Sequence, residues 1–194
     1  MKKIILLGDS IRQGYDKYTR LAFEGEAQVL YPADNCRFAS YLFRTLPNWK
    51  TSLDWGGDAD CVHWNAGLWD VIHMMDEDAL STPAQYEATV GQIARRIRLL
   101  FPRAIGVFAT STPVQEEKYG REFWRKNEEI ERYNEIAKRT VTACGGAIDD
   151  LYAVMKEAPD SERSDMTHFY TPEGTKRIGE AVLGCICPLM GIER

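Results

Sequence analysis

The chain has 194 residues, 44% of them hydrophobic and 27% charged, with a net charge of −5. That size and balance fit one soluble domain over residues 1–194 with room for a core. The negative charge argues against a nucleic-acid groove, which needs a basic face. No run approaches the roughly 20 apolar residues of a membrane span.

Residues 4–7 form a short, continuous apolar run ended by Gly8-Asp9-Ser10, the pattern of a strand buried on both faces. Residues 27–31 are a weaker second strand stopped by Pro32, and 37–46 read as a helix with Phe38, Tyr41, Leu42 and Leu46 at helical spacing. Residues 60–64 are a third strand running into Asn65-Ala66-Gly67. The clearest helix opens at Thr82-Pro83, an N-cap residue followed by proline at the first helical position. Its stripe is Tyr86, Val90, Ile93, Ile97 and Leu100, and Pro102 ends it. A buried strand over 104–109, a helix over 122–144, a short strand over 147–151 and a last helix from Thr171-Pro172 to about Ile186 complete the chain. Segments 12–26, 51–59 and 157–164 read as irregular. Arg95-Arg96 and the basic run within 121–126 read as solvated helix faces.

Strands alternating with helices imply an α/β fold, a three-layer α/β/α sandwich on a mainly parallel, about five-stranded, flavodoxin-like sheet. Ligands in such sheets bind beyond the carboxyl ends of the strands. The loops after Leu7, Tyr31, Trp64 and Ala109 are therefore where chemistry is expected.

Five cysteines, an odd count without CxxC spacing, suit free thiols and a reducing compartment. His63 and His73 lack partners at zinc-ligand spacing, so no metal is expected. The apolar run after Met1-Lys2-Lys3 is shorter than the roughly 7–15 residues of a secretion-signal core, which makes cytoplasm the expected location.

Ser10, directly after the first strand, sits where backbone N–H groups can stabilise an oxyanion; equally, a serine there can cap a helix. Arg12 occupies the second glycine position of a GxSxG elbow, so that motif is not present. His168 is one of only three histidines. Asp165, three residues ahead of it, can accept the Nδ1–H and leave Nε2 facing a nucleophile.

Together these segments resemble the GDSL, or SGNH, hydrolase family. Gly8-Asp9-Ser10 matches its first block and Asp165-Met166-Thr167-His168 its last, just before the C-terminal helix. The resemblance implies a Ser10–His168–Asp165 triad that cleaves a small acyl ester through an acyl-enzyme, with no cofactor. Acetylated carbohydrate is the favoured substrate, because aromatic residues are plentiful near the site loops. It also implies backbone oxyanion donors at Ser10 and Gly67, with Asp9 orienting the nucleophile loop. The third block, Gly-x-Asn-Asp in the family, reads Gly67-Leu68-Trp69-Asp70 here, so Trp69 stands where an asparagine amide is expected. Three donors can take its place: the Trp69 indole, Asn65 or Asn35. Arg12 and Arg37 are possible anchors for an anionic or polyhydroxylated substrate.

Two other readings compete. The turn over residues 7–14 could cradle a phosphate in a flavodoxin-like binding module, although it has few glycines and gives Asp165 and His168 no role. Alternatively, the departure at Trp69 marks a hydrolase fold kept as a small-molecule binding protein.

Overall fold

Strand β1 (Lys2–Leu7) lies inside the sheet, with Ile4, Ile5, Leu6 and Leu7 wholly buried because helices cover both faces. The computed structural model describes residues 1–75 and 77–193. After β1 come α1 (Ser10–Ala22), β2 (Ala27–Leu30), α2 (Ala39–Ser52), β3 (Cys61–Trp64), β4 (His73–Met74) and α3 (Pro83–Leu100). The second half adds β5 (Ile105–Ala109), β6 (Phe123–Trp124), α4 (Asn127–Ala143), β7 (Ala147–Asp149), α5 (Leu151–Lys156) and α6 (Pro172–Met190). Five strands make a parallel sheet in the order β2-β1-β3-β5-β7. Helices α1 and α6 pack together, and α2, α3 and α4 pack side by side. Right-handed crossovers put these two groups on opposite faces. The chain moves outward from β1 to β2 and then returns past β1 to β3, so the switch point lies between β1 and β3, where a crevice opens at the carboxyl ends. No helix among the described residues is long and apolar enough to cross a membrane.

Several elements depart from sequence expectation for identifiable reasons. Residues 12–26, expected to be irregular, are mostly α1. Its inward face carries Arg12, Asp16 and Thr19 beside Ile11 and Tyr15, and these buried polar groups hide the apolar stripe. Helix α2 runs past Pro47 instead of stopping at 46. Proline has no N–H to give the Phe43 carbonyl, and Arg96 Nη1 donates to it instead at 2.9 Å while its guanidinium lies 3.6 Å over the Phe43 ring. Arg96 is thus not a solvated face. The expected helix over 122–144 begins only at Asn127, because Phe123 and Trp124 pair antiparallel with Met74 and His73. The strand expected over 147–151 gives way at Leu151 to α5, capped by Asp150, whose carboxylate accepts from Ala153 N. Helix α6 continues to Met190.

None of the five cysteines is in a disulfide. Cys36, next to the crevice, is buried, and burial pushes its thiol up to about 12, which keeps it an inert packing group.

Candidate active site

The end of β1 delivers Ser10 as the first residue of α1. Asp9 is the N-cap, its carboxylate accepting from Ile11 N at 2.9 Å. Gly8 precedes it because nothing larger fits: a Cβ there would lie 1.7 Å from Asn65 Oδ1. Ser10 Oγ lies 2.7 Å from His168 Nε2, on a loop 158 residues away. The other ring nitrogen, Nδ1, faces Asp165 at 2.8 Å (Oδ2) and 3.0 Å (Oδ1).

Asp165 is fixed by its own turn. Its Oδ1 accepts the N–H groups of Thr167 at 2.7 Å and His168 at 2.8 Å. Partial burial works against its charge, but these hydrogen bonds and the imidazole outweigh it and hold the carboxyl below its ordinary value. An ionised Asp165 keeps a proton on Nδ1, so Nε2 is left as an acceptor for the Ser10 hydroxyl.

Tyr170, which the sequence reading missed, completes this arrangement. Its ring stacks on His168 at 4.6 Å and its hydroxyl donates to the Ser10 carbonyl at 2.6 Å. Gly14 makes room for it, since a Cβ there would meet Tyr170 Cε1 at 2.7 Å. An aromatic two residues after the histidine was the available signal.

The loop after β3 forms the facing wall and is tied down at nearly every residue. Asn65 Nδ2 donates to Asp9 Oδ1 at 2.9 Å, Tyr86 hydroxyl donates to the Ala66 carbonyl at 2.7 Å, and Arg125 Nε donates to the Leu68 carbonyl at 2.5 Å. Asp70 accepts from Ala39 N at 3.0 Å and from Ser81 Oγ at 2.8 Å, so it caps α2 and braces the loop. Gly67 is packed so closely that a Cβ would come 2.3 Å from Ser111 Oγ. Asp9 is wholly buried; burial raises its pKa, partly offset by the bonds from Asn65 and Ile11.

Ser10, Leu68, Trp69, Ile72, Phe123, Arg125, Thr167 and His168 line a cleft of about 300 Å³. Two of the three amide or indole candidates do not reach it. The Asn65 amide turns back to Asp9. Asn35 makes a local turn, its Oδ1 accepting from Arg37 N at 2.7 Å and its Nδ2 donating to Gln13 at 3.4 Å. Trp69, half-buried, is in the cleft wall. Arg12 is not an anchor: it is wholly buried, paired with Asp16 at 2.7 Å and donating to the Asp34 carbonyl at 2.7 Å. Arg37 is exposed over the Tyr41 ring, away from the cleft. Arg125, expected on a solvated face, is buried in the cleft wall.

A second cavity of about 270 Å³ lies at the opposite end of the sheet, between Ile97 and Arg98 of α3 and Gly145-Gly146. It contains no paired base and nucleophile.

No protein-family model matches the chain, and no curated protein matches its sequence. Solved structures do share its fold over nearly the whole length. One is LAE5, an alpha/beta hydrolase enzyme from the metagenome of Lake Arreo, with a TM-score of 0.74 at 14% identity, covering 98% of this chain and 95% of that one. Another is a lipase/acylhydrolase from Enterococcus faecalis, with a TM-score of 0.73 at 20% identity over 96% and 95%. A third is Axe2, an acetylxylan esterase from Geobacillus stearothermophilus, with a TM-score of 0.74 at 15% identity over 99% and 95%. The chain therefore shares the fold of these structures.

Proposed function

We propose that the chain is a serine ester hydrolase of the GDSL/SGNH type, with Ser10 as nucleophile, His168 as general base and Asp165 as the group that orients the imidazole and stabilises its charged form once it has taken the serine proton. The observation that carries this reading is the continuous relay of 2.7 Å and 2.8 Å from Ser10 through His168 to Asp165. Hydroxyl, imidazole and carboxylate in that order form an activated nucleophile.

In the first step His168 Nε2 takes the Ser10 proton as Oγ attacks the ester carbonyl. The same proton then goes to the leaving alcohol. Water repeats the sequence on the acyl-enzyme and releases the acid. The backbone N–H groups of Ser10 and Gly67 serve the oxyanion. Of the three side-chain donors considered, the Trp69 indole fits best, because the amides of Asn65 and Asn35 are engaged elsewhere. Losing one oxyanion donor costs about a hundred- to a thousandfold in rate. A small acyl ester on a carbohydrate scaffold suits the cleft, whose aromatic walls are Trp69 and Phe123. Acetyl xylan esterases among the proteins of like fold support the same substrate class.

The test is covalent labelling with a fluorophosphonate, read by intact mass, together with turnover of short-chain aryl esters. One phosphonyl adduct is expected on wild type and none on Ser10→Ala. His168→Ala abolishes labelling, and Asp165→Ala weakens it less. No adduct and no turnover at any acyl length overturns the reading and leaves a binding protein on a hydrolase fold.

A further inference from the structure

Two arginines are buried among the described residues, and they are treated differently. Arg12 is neutralised by Asp16 at 2.7 Å. Arg125, 7% exposed, takes part in none of the ion pairs found among the described residues. Its partners are neutral: the Leu68 carbonyl at 2.5 Å, the Tyr119 hydroxyl at 3.2 Å, and the Tyr119 ring 5.7 Å from the guanidinium carbon. Its charge also acts on the buried Asp9, whose pKa burial raises and this charge helps to lower, but it forms no direct ion pair among the described residues, and burying a cation without such a partner costs several kcal/mol. A protein that retains such a group where Ser10 and His168 open is supplying a charge for something that enters.

The geometry favours a bound anion over a purely structural role. Nε and Nη1 each make one bond, which leaves three of the five guanidinium N–H groups. They include both N–H groups of Nη2, which can donate to a carboxylate. Tyr119 is itself held by Thr167 at 2.7 Å, so the fork is fixed before any ligand arrives. The acids nearest the catalytic pair are already engaged. Asp165 is bonded to the His168 ring and two N–H groups, and Asp9 is sealed behind Ser10 with Asn65. Apart from Thr167 and the Trp69 indole, the remaining wall of Leu68, Trp69, Ile72 and Phe123 is apolar, and the cleft lining holds no other arginine and no lysine.

We infer that Arg125 anchors a carboxylate carried by the ester substrate, which makes the preferred substrate an acylated hydroxy acid or acidic sugar. This rests on the esterase reading above. It names Arg125 as a specificity-determining residue of the same site.

A matched pair of probes tests it: 3-acetoxybenzoate and 3-acetoxybenzamide, alike in shape and differing in charge. A hydrogen-bonded charged group is worth about 1.5–3 kcal/mol, so wild type is expected to favour the carboxylate by about tenfold or more in kcat/KM, mainly through KM. In Arg125→Gln the ratio collapses toward one, and Arg125→Lys keeps part of it. A wild-type ratio near one overturns the inference, with no variant needed. So does a ratio that survives in Arg125→Gln while both rates fall, which would place the guanidinium at the oxyanion. Should Arg125→Gln fail to fold, competitive inhibition of wild type by benzoate over benzamide decides, and equal inhibition overturns the inference. Fluorophosphonate labelling of wild-type Ser10 separates the two levels: labelling with no carboxylate preference sinks only the Arg125 anchor, whereas absence of labelling sinks the esterase reading itself.

Discussion

Asp70→Asn should stabilise the protein at neutral pH by an amount that grows as the pH rises from acid. Asp70 is buried against α2, accepting from Ala39 N at 3.0 Å and Ser81 Oγ at 2.8 Å. Burial pushes its carboxyl from 3.8 up to about 7 against the pull of those bonds, and the nearby Asp9 adds to the rise. In the unfolded chain the same group titrates near 3.9. Between these values the folded state keeps a proton that the unfolded state has released. Stability therefore falls with rising pH across this window, by about 1.4 kcal/mol per pH unit and at most about 4 kcal/mol in all. Below the window both states are protonated and the group contributes nothing; above it the loss is complete and constant. Asparagine keeps the shape and does not titrate. Its Oδ1 can accept from Ala39 N, and the Ser81 hydroxyl can turn to accept from the amide. Urea unfolding of both proteins at about pH 4.5, 5.5, 6.5 and 7.5 gives the difference directly, with other carboxylates cancelling to first order. The gap should widen by about 1.4 kcal/mol per unit and level off near neutrality. A gap constant to about 0.5 kcal/mol across the range would refute the claim that burial holds Asp70 protonated.

Three further outcomes follow from packing and charge. Gly67→Ala drives a Cβ to 2.3 Å from Ser111 Oγ and should destabilise the fold, while Ser111→Ala, which removes a buried hydroxyl without a hydrogen-bond partner, should be near neutral. The double variant should recover about 1 kcal/mol or more in a thermal-melt cycle, and additivity of the two would show that this contact is not the constraint. Arg12→Met leaves Asp16 buried without its cation and should cost about 3–5 kcal/mol, read as a lower urea midpoint; a change under about 1 kcal/mol would mean that the pair is dispensable. Asp165 is held below the ordinary carboxylate value, so acidification from neutral to about pH 5 should leave it ionised, read from the NMR shift of its labelled carboxyl carbon; a carboxyl shift that titrates within that range would refute this.

Much of the framework was legible because its signals are local. The wholly apolar run Ile4, Ile5, Leu6 and Leu7 can only be satisfied inside a covered sheet. Thr82-Pro83 and Thr171-Pro172 announced α3 and α6, and both threonines do cap, accepting from Gln85 N and Gly174 N. The elements that escaped notice depend on distant partners. Helix α1 carries an ion pair on its buried face, β4 and β6 are two-residue strands that exist only as a pair, and α2 survives Pro47 because Arg96 reaches across from α3.

The same division runs through the site. The amino-acid sequence by itself named the candidate reactive groups, since Gly8-Asp9-Ser10 at a strand end and Asp165 three residues before His168 need only local spacing to be noticed. It could not determine which polar neighbours face the cleft. Asn65, Trp69 and Arg125 all looked ambiguous or ordinary along the chain. Only the tertiary structure turned the Asn65 amide back onto Asp9, left Trp69 in the wall, and carried Arg125 inward from β6 to the Leu68 carbonyl. The physical reason is that hydrogen bonds act over about 3 Å, so a buried polar group takes its role from the partners that folding brings within reach. For Arg125 the shortest such bond reaches the carbonyl of a residue 57 positions away.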